Sequence, residues 1–460
     1  MAEPPDPEAL AAERAHLQEL EGARPRERFR GYLKLVGPGY LQSAMTLGGG
    51  TAAASLFAGS LFGYELLWVA PFAMVLGVVM LAAVSHQTLS TGIRPFEAMR
   101  RYAGAPFAYA WAIGALLSSI IWHFPQYSLA SACLVDIASV VGITGVPPQV
   151  MGFVVLAWAI GLSLLYGRSP RLIVWYERIL KYMVWGIVVC FGAVVIRTGI
   201  SDIGELGRGF TFRIPGTRSG IAGVTLVLSG VSAAVGINML FLYPYSLLAR
   251  GWGREHRRLA RFDLLMGTLL PYTLATCLMV IAMANTVHLD AGYDGTRLTP
   301  VQAAQSLASV VGPTLGRIVF GLGILAMALS SITLQMLCAG FVATELFGWE
   351  VGSLRYRLAT LLPTPGVLGP ILWRQTAVWL AVPTNILCGL FLPAAYLGFV
   401  LLQRNRDYLG EDRPEGPRGQ AWLFAMIAIT LFLVTFLGWY IVTKGPAYLE
   451  GLTKMFGGAS

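Results

Sequence analysis

Two glycine-rich runs interrupt long apolar stretches of this 460-residue chain. One is Leu47-Gly48-Gly49-Gly50-Thr51, preceded by Gly37-Pro38-Gly39. The other is Gly236-Ile237-Asn238, between Ser229-Gly230 and Pro244. Three consecutive glycines cost a helix about 1 kcal/mol each. A break there frees backbone carbonyls and amides, and Thr51, Asn238 and Thr46 add neutral polar groups beside them. The amides opening a half-helix near residue 51 would present its positive end, which suits a carboxylate, a small oxyanion or a neutral polar solute. Close packing of helices through small residues would explain the same glycines.

Ionisable residues inside apolar segments are functional by default in a bilayer. His123, in Trp122-His123-Phe124-Pro125, is the central residue whose charge can change near neutral pH. It reads either as a proton relay or substrate contact, or as a structural hydrogen bond. His86 and Glu345 read as inner-end groups, Gln335 as a packing residue, and Asp136 as a wet residue near an outer end. No HExxH or GxSxG motif, nucleotide-binding P-loop or intramembrane carboxylate pair occurs, so neither an enzyme nor ATP-driven transport is expected. No cofactor is implied. The five cysteines lie in apolar stretches without metal-type spacing and read as packing residues.

The elements that must carry these residues are membrane helices. Of the chain, 56% is hydrophobic and only 12% charged, against about 25% charged in soluble domains. Mean hydropathy is +0.64. Stretches near the ~20 residues needed to span hydrocarbon fall at 33–60, 64–90, 107–138, 147–166, 173–197, 221–248, 260–285, 314–346, 358–374, 377–402 and 421–443. The expectation is an all-α integral membrane protein of about eleven spans. The five-span offset between the two interrupted helices, 1 and 6, fits an inverted 5+5 repeat with a midplane site between them. The organisation expected is a cytoplasmic tail over 1–30, a first repeat and loop over 31–220, a second repeat over 221–410, and helix 11 with its tail over 411–460. Within the tail, Leu10, Leu17 and Leu20 share one face of a short amphipathic helix.

The net charge of +9 suits basic cytoplasmic loops, so no nucleic acid is expected as a partner. Arginines and lysines cluster in alternate connections, for example Arg24 to Lys34, Arg94 to Arg101 and Arg250 to Arg261. This asymmetry predicts a cell-membrane protein with a cytoplasmic N-terminus and an extracytoplasmic C-terminus. A monomer in the bilayer is expected.

Further motifs, in order, give a family resemblance. Gly37-Pro38-Gly39-Tyr40 opens helix 1 and Phe62-Gly63-Tyr64-Glu65-Leu66-Leu67-Trp68-Val69 opens helix 2. Tyr166-Gly167-Arg168 through Glu177 forms a helix 4–5 hinge, and Arg261-Phe262-Asp263 opens helix 7. Leu329-Ser330-Ser331, Arg357 through Pro363, Leu392-Pro393 and Arg406-Asp407-Tyr408-Leu409-Gly410 follow. Together they resemble the NRAMP divalent-metal transporters, which have the LeuT-like fold, over residues 32–410.

The resemblance implies an alternating-access transporter of divalent metals such as Mn or Fe. It also shows where this chain departs. The family's metal-binding Asp-Pro-Gly-Asn falls on Gly48, Gly49, Gly50 and Thr51, and its Met-Pro-His on Gly236, Ile237 and Asn238. A second helix-6 histidine falls on Tyr243, the helix-3 carboxylates at or near Phe124 and Tyr127, and a helix-10 glutamine on Phe391. Divalent ions need carboxylate, imidazole or thiolate ligands, so the expected substrate is an altered one: a small anion, a carboxylate-bearing solute or a neutral polar solute. The substrate-binding residues expected are Gly48, Gly49, Gly50, Thr51, Gly236 and Asn238, with His123, Tyr127 and Tyr243 as a relay or polar gate and no bound metal. Two other readings stay open: a genuine metal transporter with an unusual site, and a membrane sensor that keeps the fold without flux.

Reporter fusions at Met1 and at Ser460 are predicted to report opposite sides of the membrane. Both on the same side would mean an even number of spans.

Overall fold

The structure is a computed structural model; it describes residues 7–165, 170–200, 202–290, 293, 295, 298, 303, 312–372 and 377–457. Two helices, α1 (Pro7–Gly22) and α2 (Pro25–Leu35), precede the bundle. The first apolar span is split into α3 (Pro38–Thr46) and α4 (Gly49–Phe62). Then come α5 (Val69–Thr91), the short α6 (Pro95–Tyr102), α7 (Ala105–Val140), α8 (Pro148–Leu165) and α9 (Pro170–Thr198). A connection with α10 (Ile203–Arg208) and a small antiparallel hairpin, β1 (Thr217–Arg218) with β2 (Ile221–Ala222), leads to the second half.

That half opens with another split span, α11 (Gly223–Ala234) and α12 (Ile237–Ala249). Next, α13 (Arg257–Asp263) runs through a π-wound stretch, Leu264–Leu269, into α14 (Leu270–Asn285). The remaining helices are α15 (Pro313–Phe347), α16 (Leu354–Thr360), α17 (Gly369–Leu372), α18 (Ala377–Gly389), α19 (Leu392–Arg404), α20 (Arg406–Leu409) and α21 (Gly416–Gly457). Among the described residues, eight helices are long and apolar enough to cross a membrane. The split first span and α8 are shorter apolar helices beside them.

The ninth expected span, 358–374, is not one α-helix. Short i→i+3 bonds, Leu361 N to Leu358 O and Thr364 N to Leu361 O, link α16 to a 3₁₀ turn at Thr364–Leu368, and α17 follows. Pro363, Pro365 and Pro370 have no N–H to give, so the regular ladder cannot run through them. The hinge motif Tyr166-Gly167-Arg168 lies outside the described residues.

Helix α7 forms the centre of the bundle and packs along α15, α12 and α18. The Trp111 ring lies 4.7 Å from that of Phe241 and 5.0 Å from that of Phe399, all three buried. The N-terminal helix α1 does not hang free. Leu17 and Leu20 are buried, Trp252 Nε1 donates to Glu13 (3.0 Å), and Arg14 pairs with Glu255 (2.6 Å). Burial opposes ionisation of Glu13, but His256, Arg250 and Trp252 outweigh it and hold the carboxyl below its usual range.

Three charged positions resolve differently from one another. Asp136, expected to be wet, is buried and paired with Arg317, which also donates to Ser139 Oγ (2.8 Å). Glu345 faces Arg94 at 3.4 Å. His86 donates from Nε2 to Asp412 O (2.9 Å) near a bundle end, while its buried Nδ1 has no hydrogen-bond partner among the described residues.

The start of α3 is held by one carboxylate. Gly37 N (2.9 Å) and Gly39 N (2.5 Å) both donate to Asp263. These are N–H groups that a helix start leaves without partners, and hydrogen bonds to a charged acceptor are the stronger kind. Asp263→Ala is predicted to cost about 2–4 kcal/mol, read as a lower unfolding midpoint in detergent, with Asp263→Asn falling between. A variant that unfolds with the parent contradicts the assignment.

Candidate functional site

Both interrupted helices break beside the glycine runs, at residues 47–48 and 235–236. Helix α3 ends at Thr46, and Gly48 is extended (φ −98°, ψ −176°) before α4 begins. Helix α11 ends at Ala234, and Val235 (φ −137°, ψ 103°) and Gly236 (φ −78°, ψ 158°) are extended before α12 begins. The two spans pack together, α4 on α11 and α3 on α12.

The glycines are required by what enters the breaks. A Cβ on Gly48 would lie 2.6 Å from both Gln126 Nε2 and Ser331 Oγ. One on Gly50 would collide with Asn385 Oδ1, and one on Gly236 would lie 2.5 Å from the Trp122 ring. Unwinding and close packing, posed above as alternatives, therefore occur together.

Side chains satisfy the backbone groups that the breaks free. Gly49 N donates to Gln126 Oε1 (2.7 Å), and Gln126 Nε2 donates to Ser331 Oγ (3.0 Å). Gln335 Nε2 reaches the same hydroxyl at 3.2 Å. Asn385, from α18, donates through Nδ2 to Gly50 O (3.0 Å) and to Ser229 Oγ on α11 (2.9 Å), and accepts from Trp122 Nε1 (3.0 Å). Thr51 Oγ1 donates back across its own break to Thr46 O (2.6 Å). Thr46 Oγ1 in turn donates to Met239 Sδ (2.9 Å), a sulfur that also receives Gly236 N (3.3 Å). Asn238 Nδ2 reaches Ser119 Oγ at 3.5 Å.

Of the expected substrate residues, Gly48, Gly49, Gly50, Thr51, Gly236 and Asn238 meet in this one region. His123 and Tyr127 lie on α7 with rings 5.7 Å apart. The Tyr243 hydroxyl sits two turns along α12 and donates to Ala260 O (3.4 Å), away from the breaks. His123 donates from Nδ1 to Ser119 O (2.7 Å), which makes Nε2 the acceptor of the neutral ring. That Nε2 and Gln335 Oε1 are buried acceptors with no hydrogen-bond donor among the described residues.

Gln126, Ser331, Asn385 and Met239 were not among the residues expected from the sequence. A carboxamide inside an apolar span is itself a signal, and it would have pointed to Gln126 and Asn385. Met239 is a correction: the family's thioether position is Gly236, yet a thioether reaches the break from three residues further on. Among the described residues, no three of His, Cys, Asp and Glu are placed to hold a metal ion. The site is built of amides, hydroxyls, an indole, one imidazole, one thioether and the thiol of Cys338, whose Sγ donates to Asn238 O (3.4 Å).

Gly48→Ala is predicted to force Gln126 and Ser331 aside, at about 1–3 kcal/mol of overpacking, and to lower the unfolding midpoint. Gly186→Ala, where nothing lies within 4 Å of the added carbon, serves as the helix control and holds or raises the midpoint. Equal behaviour of the two variants would show that the break is not filled as described.

Comparison with known proteins bears on the fold and the family. The chain is 24% identical over 439 residues to the divalent metal cation transporter MntH of Agrobacterium fabrum, covering 89% of each. It is 24% identical over 422 residues to MntH of Deinococcus radiodurans, again covering 89% of each. The manganese transporter of Eremococcus coleocola superposes with a TM-score of 0.75 at 14% identity, over 95% of this chain and 93% of that one. MhsT, solved in complex with L-phenylalanine, superposes with a TM-score of 0.55 at 13% identity, over 87% of this chain and 97% of that one. The family described as natural resistance-associated macrophage protein-like matches residues 39–442. With two split helices five spans apart and that match, the chain belongs to the Nramp family of multi-pass membrane transporters.

Proposed function

We propose that this chain is an alternating-access secondary transporter whose central site takes a small polar solute, neutral or carboxylate-bearing, and not a divalent cation held by carboxylates. The observation that supports this most is the filling of Gly48. A side chain at the family's aspartate position would have to displace Gln126 and Ser331, which occupy that space. The surrounding groups are uncharged, so nothing there offsets the dehydration of a divalent ion.

Chemistry sets what such a solute would do. The amide at Gly49 offers a donor at the start of α4, now taken by the carboxamide of Gln126; a substrate carboxylate or carboxamide would compete for it. The acceptors His123 Nε2 and Gln335 Oε1 would receive N–H or O–H groups. The Lys/Arg asymmetry supports a cytoplasmic N-terminus and an extracytoplasmic C-terminus; the chain is read as a monomer. Proton coupling rests on His123 or is absent, since Gly48, Phe124, Tyr127 and Tyr243 do not titrate usefully near neutrality.

One observation favours a second reading, transport of a divalent metal through an unusual site. The Met239 sulfur lies between the breaks, and thioethers suit softer metals. The relatives' names point the same way.

Calorimetry on the purified protein separates the two. Mn²⁺ at low micromolar concentration is expected to give no saturable heat. Low-micromolar affinity that Met239→Leu or Asn238→Ala abolishes would install the metal reading instead. In proteoliposomes, uptake driven by a pH gradient that survives His123→Ala would show a proton path through other residues.

A further inference from the structure

A second cleft, separate from the breaks, lies at the bundle end where α4 finishes. Its volume is about 410 Å³. Its floor is the turn Gly63-Tyr64-Glu65 after α4. One wall is α10 with the turn and extended segment to Arg213, another is Arg218 of the hairpin, and the last is His288 beyond α14.

Three features distinguish this cleft from a chance gathering of loop charges. The first is fixation. Trp68 N donates to Gly209 O (3.0 Å) and Trp68 Nε1 to Arg213 O (3.0 Å), so both ends of the 209–213 segment are pinned to one tryptophan. Arg218 is likewise fixed, donating to Leu61 O at the end of α4 (2.9 Å).

The second is strain. Phe212, next to Arg213, has φ +57°, a conformation that a bulky residue rarely adopts and that surrounding structure must enforce. Its ring is held 5.1 Å from Trp68 and 5.4 Å from Phe72. The aromatic contacts keep the backbone in that conformation directly before Arg213.

The third is polarity. Arg213 and Glu65 line the same cleft, yet neither forms an ion pair among the described residues, with each other or with another group. Arg208 has only Glu205, at 3.9 Å. His288 donates from Nδ1 to Ser60 O (3.0 Å), so its Nε2 is an acceptor, beside Gly63. The cleft thus offers guanidinium for a carboxylate, and carboxylate and imidazole nitrogen for an ammonium group.

We propose that this cleft is a second binding site, for a small zwitterion carrying a carboxylate and an ammonium group. Arg213, helped by Arg208, takes the carboxylate, and Glu65, helped by His288, takes the ammonium. The Lys/Arg asymmetry supports placing the cleft outside the cell, at the far end of the half-helix that begins at Gly49.

The test uses the full-length protein in nanodiscs, with glycine, acetate and methylammonium as probes and binding read by titration. Glycine is expected to bind at least about tenfold tighter than either single-charge probe, since two charge-assisted contacts act together. Arg213→Gln and Glu65→Gln should each weaken glycine by about tenfold, while Arg213→Lys keeps much of the binding. Asn238→Ala, at the central break, should leave it intact. Glycine no tighter than acetate would reduce the cleft to an anion site and overturn the proposal. So would binding lost in Asn238→Ala but kept in Arg213→Gln, or no glycine binding at all. Both glutamine variants change exposed or half-exposed groups, and an unligated unfolding midpoint equal to the parent's verifies that they fold.

Discussion

A helix that stops and restarts inside an apolar bundle frees N–H and C=O groups that water does not reach, and each left alone costs several kcal/mol. The centre of this molecule is arranged around that demand. Gln126 answers Gly49 N, Asn385 answers Gly50 O, Thr51 answers Thr46 O, and Met239 takes Gly236 N. Each answer carries a condition. Gln126 can enter only if residue 48 has no side chain, and Asn385 only if residue 50 has none. The breaks need the amides and the amides need the glycines, so α4, α7, α15 and α18 are positioned together or not at all.

The electrostatic character of the site follows. The positive end of α4 is covered by an amide oxygen, a neutral acceptor, and the start of α12 by a thioether. The arrangement offers dipoles and no net charge. Neutral or anionic polar groups can exchange with these partners one for one, whereas a cation must shed its water for dipoles already engaged with one another.

Much of the architecture was legible in the sequence, for reasons that differ by element. Apolar run length located the spans, because bilayer thickness sets helix length. Glycine runs located the breaks to within two residues, because glycine both weakens a helix and admits close approach. The ninth span misled: its apolar length pointed to one helix over 358–374, but Pro363, Pro365 and Pro370 divert it into 3₁₀ turns. Gln126 and Asn385 were not legible as partners, because which helix face meets a break is decided by tertiary packing. Met239 was hidden by alignment logic. Side chains on a helix lean towards its N-terminus, so residue 239 reaches back to the position opened at 236. Asp136 misled for a related reason, its partner Arg317 being 181 residues away in sequence.

The clasp on α3 has a mechanical consequence. Asp263 holds Gly37 and Gly39, Thr268 Oγ1 donates to Gly39 O (2.9 Å), and Gly267 lies against Gly39 with no room for a side chain between them. The lower half of the first span is therefore fastened to α13 and the π-wound stretch. Its upper half is fastened to α7 and α18 through Gln126 and Asn385. The two halves of one span thus answer to different clasps, with Leu47 and Gly48 as the covalent link between them. They are not independent of each other: α4 also packs on α14, and Ser330 and Ser331 of α15 donate to Ala44 O and Met45 O of the lower half. The hydroxyl of Thr51, bonded across the gap to Thr46 O, is a stay over the joint, so any change in the width of the gap acts directly on that bond.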